Sequence, residues 1–213
     1  MAHYIHFRDP KATAMTELLR SIPTCPGTCI FMDVSRSTEL KYLETLVDWG
    51  RKLNNTFNIL LFANHLEKFI VKGIGDEIML YIPDEELTSR ASDNDYYSLV
   101  ENIYSAMFLI RQRTEVFLTC KVAIHHCTEA YNITYFERAN DYYGRDIDLT
   151  ARLMSKCVEN RIVLSEHCFI KVKQDLDRMK KPLREGCLAE ISRKRQATFR
   201  GVPAPTAYRV IDA

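Results

Sequence analysis

The sequence predicts an α+β fold: a ferredoxin-like βαββαβ core extended by further C-terminal strands and helices. Three observations carry this prediction. The apolar run Thr28-Cys29-Ile30-Phe31-Met32 ends at Asp33 and gives way to a long stretch of helical spacing. The glycine-rich segment Gly73-Ile74-Gly75-Asp76 separates two β-prone runs, which is a hairpin signature. A second amphipathic stretch and another β-prone run then complete the order strand, helix, hairpin, helix, strand. Such a core is an antiparallel sheet with helices on one face.

Each element has its own reason. After Asp33, the hydroxyls of Ser35, Ser37 and Thr38 offer a helix start, with Glu39 in the first turn. Leu43, Leu46, Val47, Leu53, Phe57 and Leu60 recur at helical spacing, so one long helix is expected. The hairpin strands are expected at residues 68–71 and 78–82. Residues 89–95 are polar and read as a loop. Tyr96, Leu99, Val100, Ile103, Met107 and Ile110 mark the second helix, and residues 116–124 the following strand. Residues 144–158 read as a helix with Ile147, Ala151, Met154 and Val158 on one face. Residues 162–164 and 207–211 read as strands.

The 213 residues form one expected domain, 1–213, with its core at about 27–211 and an N-terminal extension at 1–26. A formal net charge of +1 provides no global field for nucleic acid or an anionic membrane, so any anion must be held locally. No apolar run approaches the roughly 20 residues of a spanning helix, and the N-terminus lacks the pattern of a signal peptide. A cytoplasmic location is the expectation. The seven cysteines contain no C-x-x-C pair and lie mostly in apolar stretches, as reduced structural thiols would.

Two acids need a reason. Asp33 lies where a buried strand turns into a helix, and Asp76 in a tight hairpin whose strand lies beside the first. Both can converge at one end of the sheet, where their repulsion calls for hard divalent cations such as Mg²⁺ or Mn²⁺. Backbone N–H groups and hydroxyls around residues 35–38 add an anion site, as helix starts do for phosphates. Each acid alone also has a bland explanation: Asp33 as a helix cap, Asp76 as turn chemistry.

The segments that carry these acids show a likeness. Phe31-Met32-Asp33-Val34-Ser35-Arg36-Ser37-Thr38 resembles the metal-binding strand-to-helix motif of class III adenylyl and guanylyl cyclases. Lys72-Gly73-Ile74-Gly75-Asp76 is similar to their hairpin motif, with a base-facing residue four positions before the second metal aspartate. Residues 141–153, from Asp141 through Asp148 to Arg152, resemble their base-contact, ribose-orienting and transition-state motif. Arg161-Ile162-Val163-Leu164-Ser165 and Phe199-Arg200-Gly201-Val202 resemble later segments. The resemblance runs in order from about residue 27 to 211.

It implies a head-to-tail homodimer with active sites at the interface and a nucleoside triphosphate as substrate. Asp33, Asp76 and the Val34 carbonyl would hold two divalent cations, Mn²⁺ or Mg²⁺, on one chain, with Ser37 and Thr38 helping to hold phosphates. The partner chain would bring Lys72 and Asp141 to the base, Asp148 to the ribose, and Arg152 and Arg200 to the phosphates. The ribose 3′ oxygen would attack the α-phosphorus and pyrophosphate would leave. The ribose position is usually Asn in the family and is Asp148 here; a carboxylate lacks the amide donor.

The Lys72/Asp141 pair usually indicates adenine in that family. The lone compact catalytic unit and Asp148, however, make the chain look like the stand-alone cyclases of Pycsar anti-phage defence, which make cyclic UMP or cyclic CMP. Tyr142 and Tyr143 are expected either to narrow the base pocket or to pack. A silent regulatory domain is disfavoured by the presence of both aspartates. A diguanylate cyclase would share the Gly73-Ile74-Gly75-Asp76-Glu77 hairpin but not the Asp141-to-Arg152 set. An RNA-binding ferredoxin-like sheet would carry aromatic strand motifs absent here.

Overall fold

The computed structural model describes residues 2–5, 12–88, 95–136, 139–183, 186–189 and 191–213. In chain order the elements are β1 (His3–Tyr4), α1 (Ala12–Ser21), β2 (Gly27–Val34), α2 (Ser37–Leu43), α3 (Leu46–Leu60), β3 (Ile70–Ile74), β4 (Glu77–Pro83), α4 (Asp84–Thr88) and α5 (Tyr96–Gln112). Then follow β5 (Cys120–Cys127), β6 (Ile133–Thr134), α6 (Arg145–Met154), β7 (Arg161–Ser165), α7 (Glu166–Met179), β8 (Arg195–Ala197) and β9 (Thr206–Asp212). The main sheet has the order β3-β4-β2-β5-β7-β9-β8, and β1 pairs separately with β6.

β2 is the central strand. It pairs antiparallel with β4 and β5 along its length, and its side chains are buried on both faces except at Asp33. Alternation divides its residues between two cores. Ile30 and Met32 join Val122, Ile124, Ile162 and Leu164 against α3, α5 and α7. Cys29 and Phe31 join Ala123 and Val163 against Ile147, Leu153 and Met154 of α6. Each fully buried aliphatic side chain, such as Ile30 or Ile103, stabilises by roughly 1.5–3 kcal/mol. The expected α+β order is present, but helices lie on both faces. The βαββαβ core keeps its helices on one side, and α6 covers the other because the alternating strands bury apolar residues there too.

Several expected boundaries shift. The expected long helix is two, because Glu44 is extended and Thr45 caps α3, accepting from the Asp48 backbone N–H at 3.1 Å. The strand expected at 116–124 begins at Cys120: Val116 and Phe117 are tied back to the Arg113 carbonyl in a turn. The first hairpin strand begins at Ile70, since residues 67–69 form a 3₁₀ turn. The helix expected to reach Val158 stops at Met154. α7 and the short strand β8 were not foreseen; α7 announces itself by Ser165, whose side chain accepts from the Cys168 N–H at 3.1 Å. Of the expected loop at 89–95, residues 89–94 lie outside the described residues, and Asp95 caps α5 through the Ser98 N–H.

Candidate active site

The strand register builds the first half of the site. Asp33 lies opposite Glu77 of β4 and opposite Lys121 of β5, so the three side chains form one charged row across the sheet, on the face that α6 covers. Lys121 Nζ is 2.9 Å from Asp33 Oδ2. Partial burial, then the neighbouring Asp33 charge, pushes the Glu77 carboxyl above its ordinary range; Lys121 opposes this and Asp76 adds to it. Glu77 therefore reports the negative field that both aspartates create.

Asp76 reaches the same end of the sheet from the β3–β4 turn, where Gly75 supplies the left-handed conformation at φ 68°. Its neighbours are on α2 and the chain entering it. Lys41 donates to Asp76 Oδ1 at 3.1 Å. Burial alone would raise the Asp76 carboxyl, but the Ser37 hydroxyl and Lys41 outweigh it and hold the group below its ordinary range. Asp33 is not a helix cap, because α2 begins only at Ser37 with Arg36 in the cap position at φ 58°. Arg36 instead clasps Glu39 through two hydrogen bonds of 2.9 and 2.7 Å.

The donor set fits a hard divalent cation. It offers two carboxylates and backbone carbonyl oxygen, and no soft atom lies among its residues. The Ser35 hydroxyl, buried at the bend between Val34 and α2, has no hydrogen-bond partner among the described residues. No side chain caps the start of α2. These are groups that a phosphate or its cation would engage. Val34 itself is buried, Ser37 is half-buried and Thr38 is exposed.

The second half gathers residues far apart in sequence. Lys72 of β3 donates to both carboxylate oxygens of Asp141, each at 2.9 Å. Asp141 is buried and also accepts from the Tyr142 backbone N–H at 2.8 Å. The Tyr143 ring lies under Lys72 Nζ, 5.5 Å from the ring centroid. Tyr142 does not border this pair as a free wall: its ring is buried and stacks on Tyr81 with centroids 4.0 Å apart. Packing is therefore its role.

α6 starts at Arg145, four positions after Asp141, and is capped by Gly144, whose φ of 150° and close approach to the Glu129 carbonyl exclude a side chain. Asp148 and Arg152 stand one turn apart on its exposed face. Neither side chain has a hydrogen bond or ion pair among the described residues, and the same holds for exposed Arg200 in the β8–β9 turn. The acids at Asp33 and Asp76 are paired to lysines within the chain, whereas the α6 charges face outward. Sequence reading missed Lys41, Lys121 and Glu77, although the first two follow from strand register and helix position rather than from any motif.

No protein-family model matches the chain, and no curated protein matches it by sequence. Solved structures do match. The adenylyl cyclase CyaB from P. aeruginosa superposes with a TM-score of 0.66 at 20% identity, over 90% of this chain and 95% of that one. The guanylyl cyclase Cya2 gives 0.62 at 16% identity, over 89% and 93%. A non-canonical dimeric guanylyl cyclase domain of the RhoGC fusion protein from the aquatic fungus Blastocladiella emersonii gives 0.58 at 13% identity, over 88% and 96%. At these identities the likeness is one of architecture: this chain has the fold of adenylyl and guanylyl cyclase catalytic domains.

Proposed function

We propose that the protein is a metal-dependent nucleotidyl cyclase that converts a nucleoside triphosphate into a 3′,5′-cyclic mononucleotide and pyrophosphate. The observation that carries this reading is the division of one chain into two complementary sets: an oxygen-donor pair at Asp33 and Asp76, and the Lys72–Asp141 clasp with the exposed Arg152 of α6. Residues of each kind are needed in one site, so the reading includes a homodimer in which each site takes one half from each protomer. No helix among the described residues is long and apolar enough to cross a membrane.

Asp33, Asp76 and the Val34 carbonyl would hold two divalent cations, Mg²⁺ or Mn²⁺. Bound there, the ions supply Lewis-acid polarisation of phosphate and ribose oxygens. The chain's own groups do the rest. Lys121 and Lys41 pair with Asp33 and Asp76 and offset their charge until the cations and substrate bind. Ser37 and Thr38 hydroxyls and the Arg200 guanidinium hold phosphate oxygens. Arg152 faces the α-phosphate and neutralises charge that grows as the 3′ oxygen bonds to phosphorus and the bond to pyrophosphate breaks. Asp148 orients the ribose by accepting from a hydroxyl.

Lys72 donates to the base and Asp141 accepts from it. We read the base as uracil, with cytosine next, in a bacterial anti-phage signalling role. The Tyr143 ring beside Lys72 shortens the reach to a small base, and Asp148 in the ribose position agrees with the stand-alone pyrimidine cyclases. A second reading, ATP to cyclic AMP, rests on the Lys72/Asp141 pair itself, since adenine also presents a donor and an acceptor side by side. Incubation with each of the four triphosphates and Mn²⁺, followed by chromatography of the product, separates these readings. Formation of cyclic UMP supports the first, cyclic AMP the second, and no cyclic mononucleotide from any triphosphate would overturn the cyclase reading.

A further inference from the structure

A second cluster lies away from these residues, between β5 and the first turn of α6. His125 and Cys127, two positions apart on β5, point to the same face of the sheet, and Asp146 meets them from α6. One ligating atom from each lies within 4.8 Å of the others. His125 is 1% exposed, and neither of its ring nitrogens has a hydrogen-bond partner among the described residues. Its Nε2 stands 3.5 Å from Asp146 Oδ1. Nδ1 has no partner and Nε2 only this long contact, and a buried polar group left so costs about 1–3 kcal/mol, so the imidazole calls for an occupant.

We propose that His125, Cys127 and Asp146 form a structural site for a thiophilic divalent cation, Zn²⁺. One nitrogen, one sulfur and one carboxylate oxygen, with a water as the fourth donor, suit tetrahedral zinc and differ in kind from the all-oxygen set at Asp33 and Asp76. The second shell is present. Asp146 Oδ2 accepts from the Thr128 and Glu129 backbone N–H groups at 2.7 and 2.8 Å, which aims Oδ1 at the imidazole. Burial pushes the His125 imidazole below its ordinary range, against the pull of Asp146. The exposed His167 ring lies nearly parallel to that of His125 at 5.7 Å and forms a thin cover.

On binding, one Zn–S bond forms and the Cys127 thiol releases its proton to solvent; nothing is oxidised. The consequence is mechanical. The ion ties the first turn of α6, which carries Asp148 and Arg152 further along, to the central strands β2 and β5.

The test uses the full chain, stripped with a chelator and titrated with Co²⁺ alone, then Zn²⁺ alone. The expected result is one Co²⁺ per chain with a thiolate-to-cobalt charge-transfer band, displaced by Zn²⁺, which also raises the thermal unfolding midpoint. Cys127→Ser should abolish the band, and the Asp33→Ala/Asp76→Ala variant should keep it. Should Cys127→Ser fail to fold, X-ray absorption at the zinc edge of the wild-type chain decides: sulfur and nitrogen neighbours are expected. A folded wild-type chain that binds neither ion, an oxygen-only shell, or a band that survives in folded Cys127→Ser would overturn the site. None of these outcomes depends on cyclase activity.

Discussion

Lys72 and Asp141, 69 positions apart, meet through two hydrogen bonds of 2.9 Å, one from the ammonium to each carboxylate oxygen. The pair joins the β3–β4 hairpin to the segment that leads into α6. Read as the base-recognition pair, it predicts that Lys72→Met lowers kcat/KM by roughly ten- to a hundredfold, because a charged hydrogen bond is worth about 1.5–3 kcal/mol. Steady-state kinetics with the preferred triphosphate check this, and an unchanged kcat/KM would remove Lys72 from the base site.

The carboxylates are the second prediction. Asp33→Ala or Asp76→Ala is expected to reduce cyclic product by about a thousandfold or more, since bound metal supplies several kcal/mol of transition-state stabilisation. Folding should change little, because each lost ion pair is partly exposed. Product quantification and circular dichroism together test the claim. Full activity in either variant would mean that the metals are held elsewhere.

Shared sites make a third prediction. Mixing Asp33→Ala with Arg152→Ala chains should restore about a quarter of wild-type activity, since half the dimers are mixed and one of their two sites is whole. Each variant alone should be inactive. Absence of rescue under conditions where subunits exchange would rule out composite sites.

Acid stability provides a fourth. Burial would raise the Asp84 carboxyl, but hydrogen bonds from His126 and the Tyr96 hydroxyl, 3.1 and 2.7 Å away, hold it below its ordinary range. A carboxyl lowered in the folded state stabilises fully above the unfolded value of about 3.9, and the contribution is lost as pH falls through the folded value. Asp84→Asn should therefore cost about 1–2 kcal/mol near neutral pH and less in acid. Urea unfolding at neutral and acidic pH measures this difference, and equal losses at both would contradict it.

The fifth concerns the entry to α6. A Cβ at Gly144 would lie 2.2 Å from the Glu129 carbonyl oxygen, at a backbone φ of 150°. Gly144→Ala should destabilise by about 1–3 kcal/mol and, by moving α6, lower kcat more than it raises KM. Denaturant unfolding and kinetics on the same preparation check both parts.

Much of the core was legible because periodicity is local. The strand through Ile30, the hairpin around Gly75 and the helix carrying Ile103 all follow from spacing alone. The break at Glu44 was not, because Thr45 and Asp48 signal a new helix start inside a stretch whose apolar rhythm continues across it. The apolar positions Leu43, Leu46 and Val47 keep that rhythm while remaining exposed. Placement of α6 on the opposite face was likewise hidden, since nothing local says which side of a two-faced sheet a helix will cover.

The sequence by itself determined the fold order and named Asp33, Asp76, Lys72, Asp141, Asp148 and Arg152, because each sits in a short motif with fixed spacing. Tertiary structure decided who touches whom. Strand register put Lys121 on Asp33, the hairpin turn put Asp76 against Lys41, and the sheet's second face brought His125 and Cys127 to Asp146. Those contacts join residues up to tens of positions apart, and only backbone pairing and the packing of α6 bring them within a few ångströms.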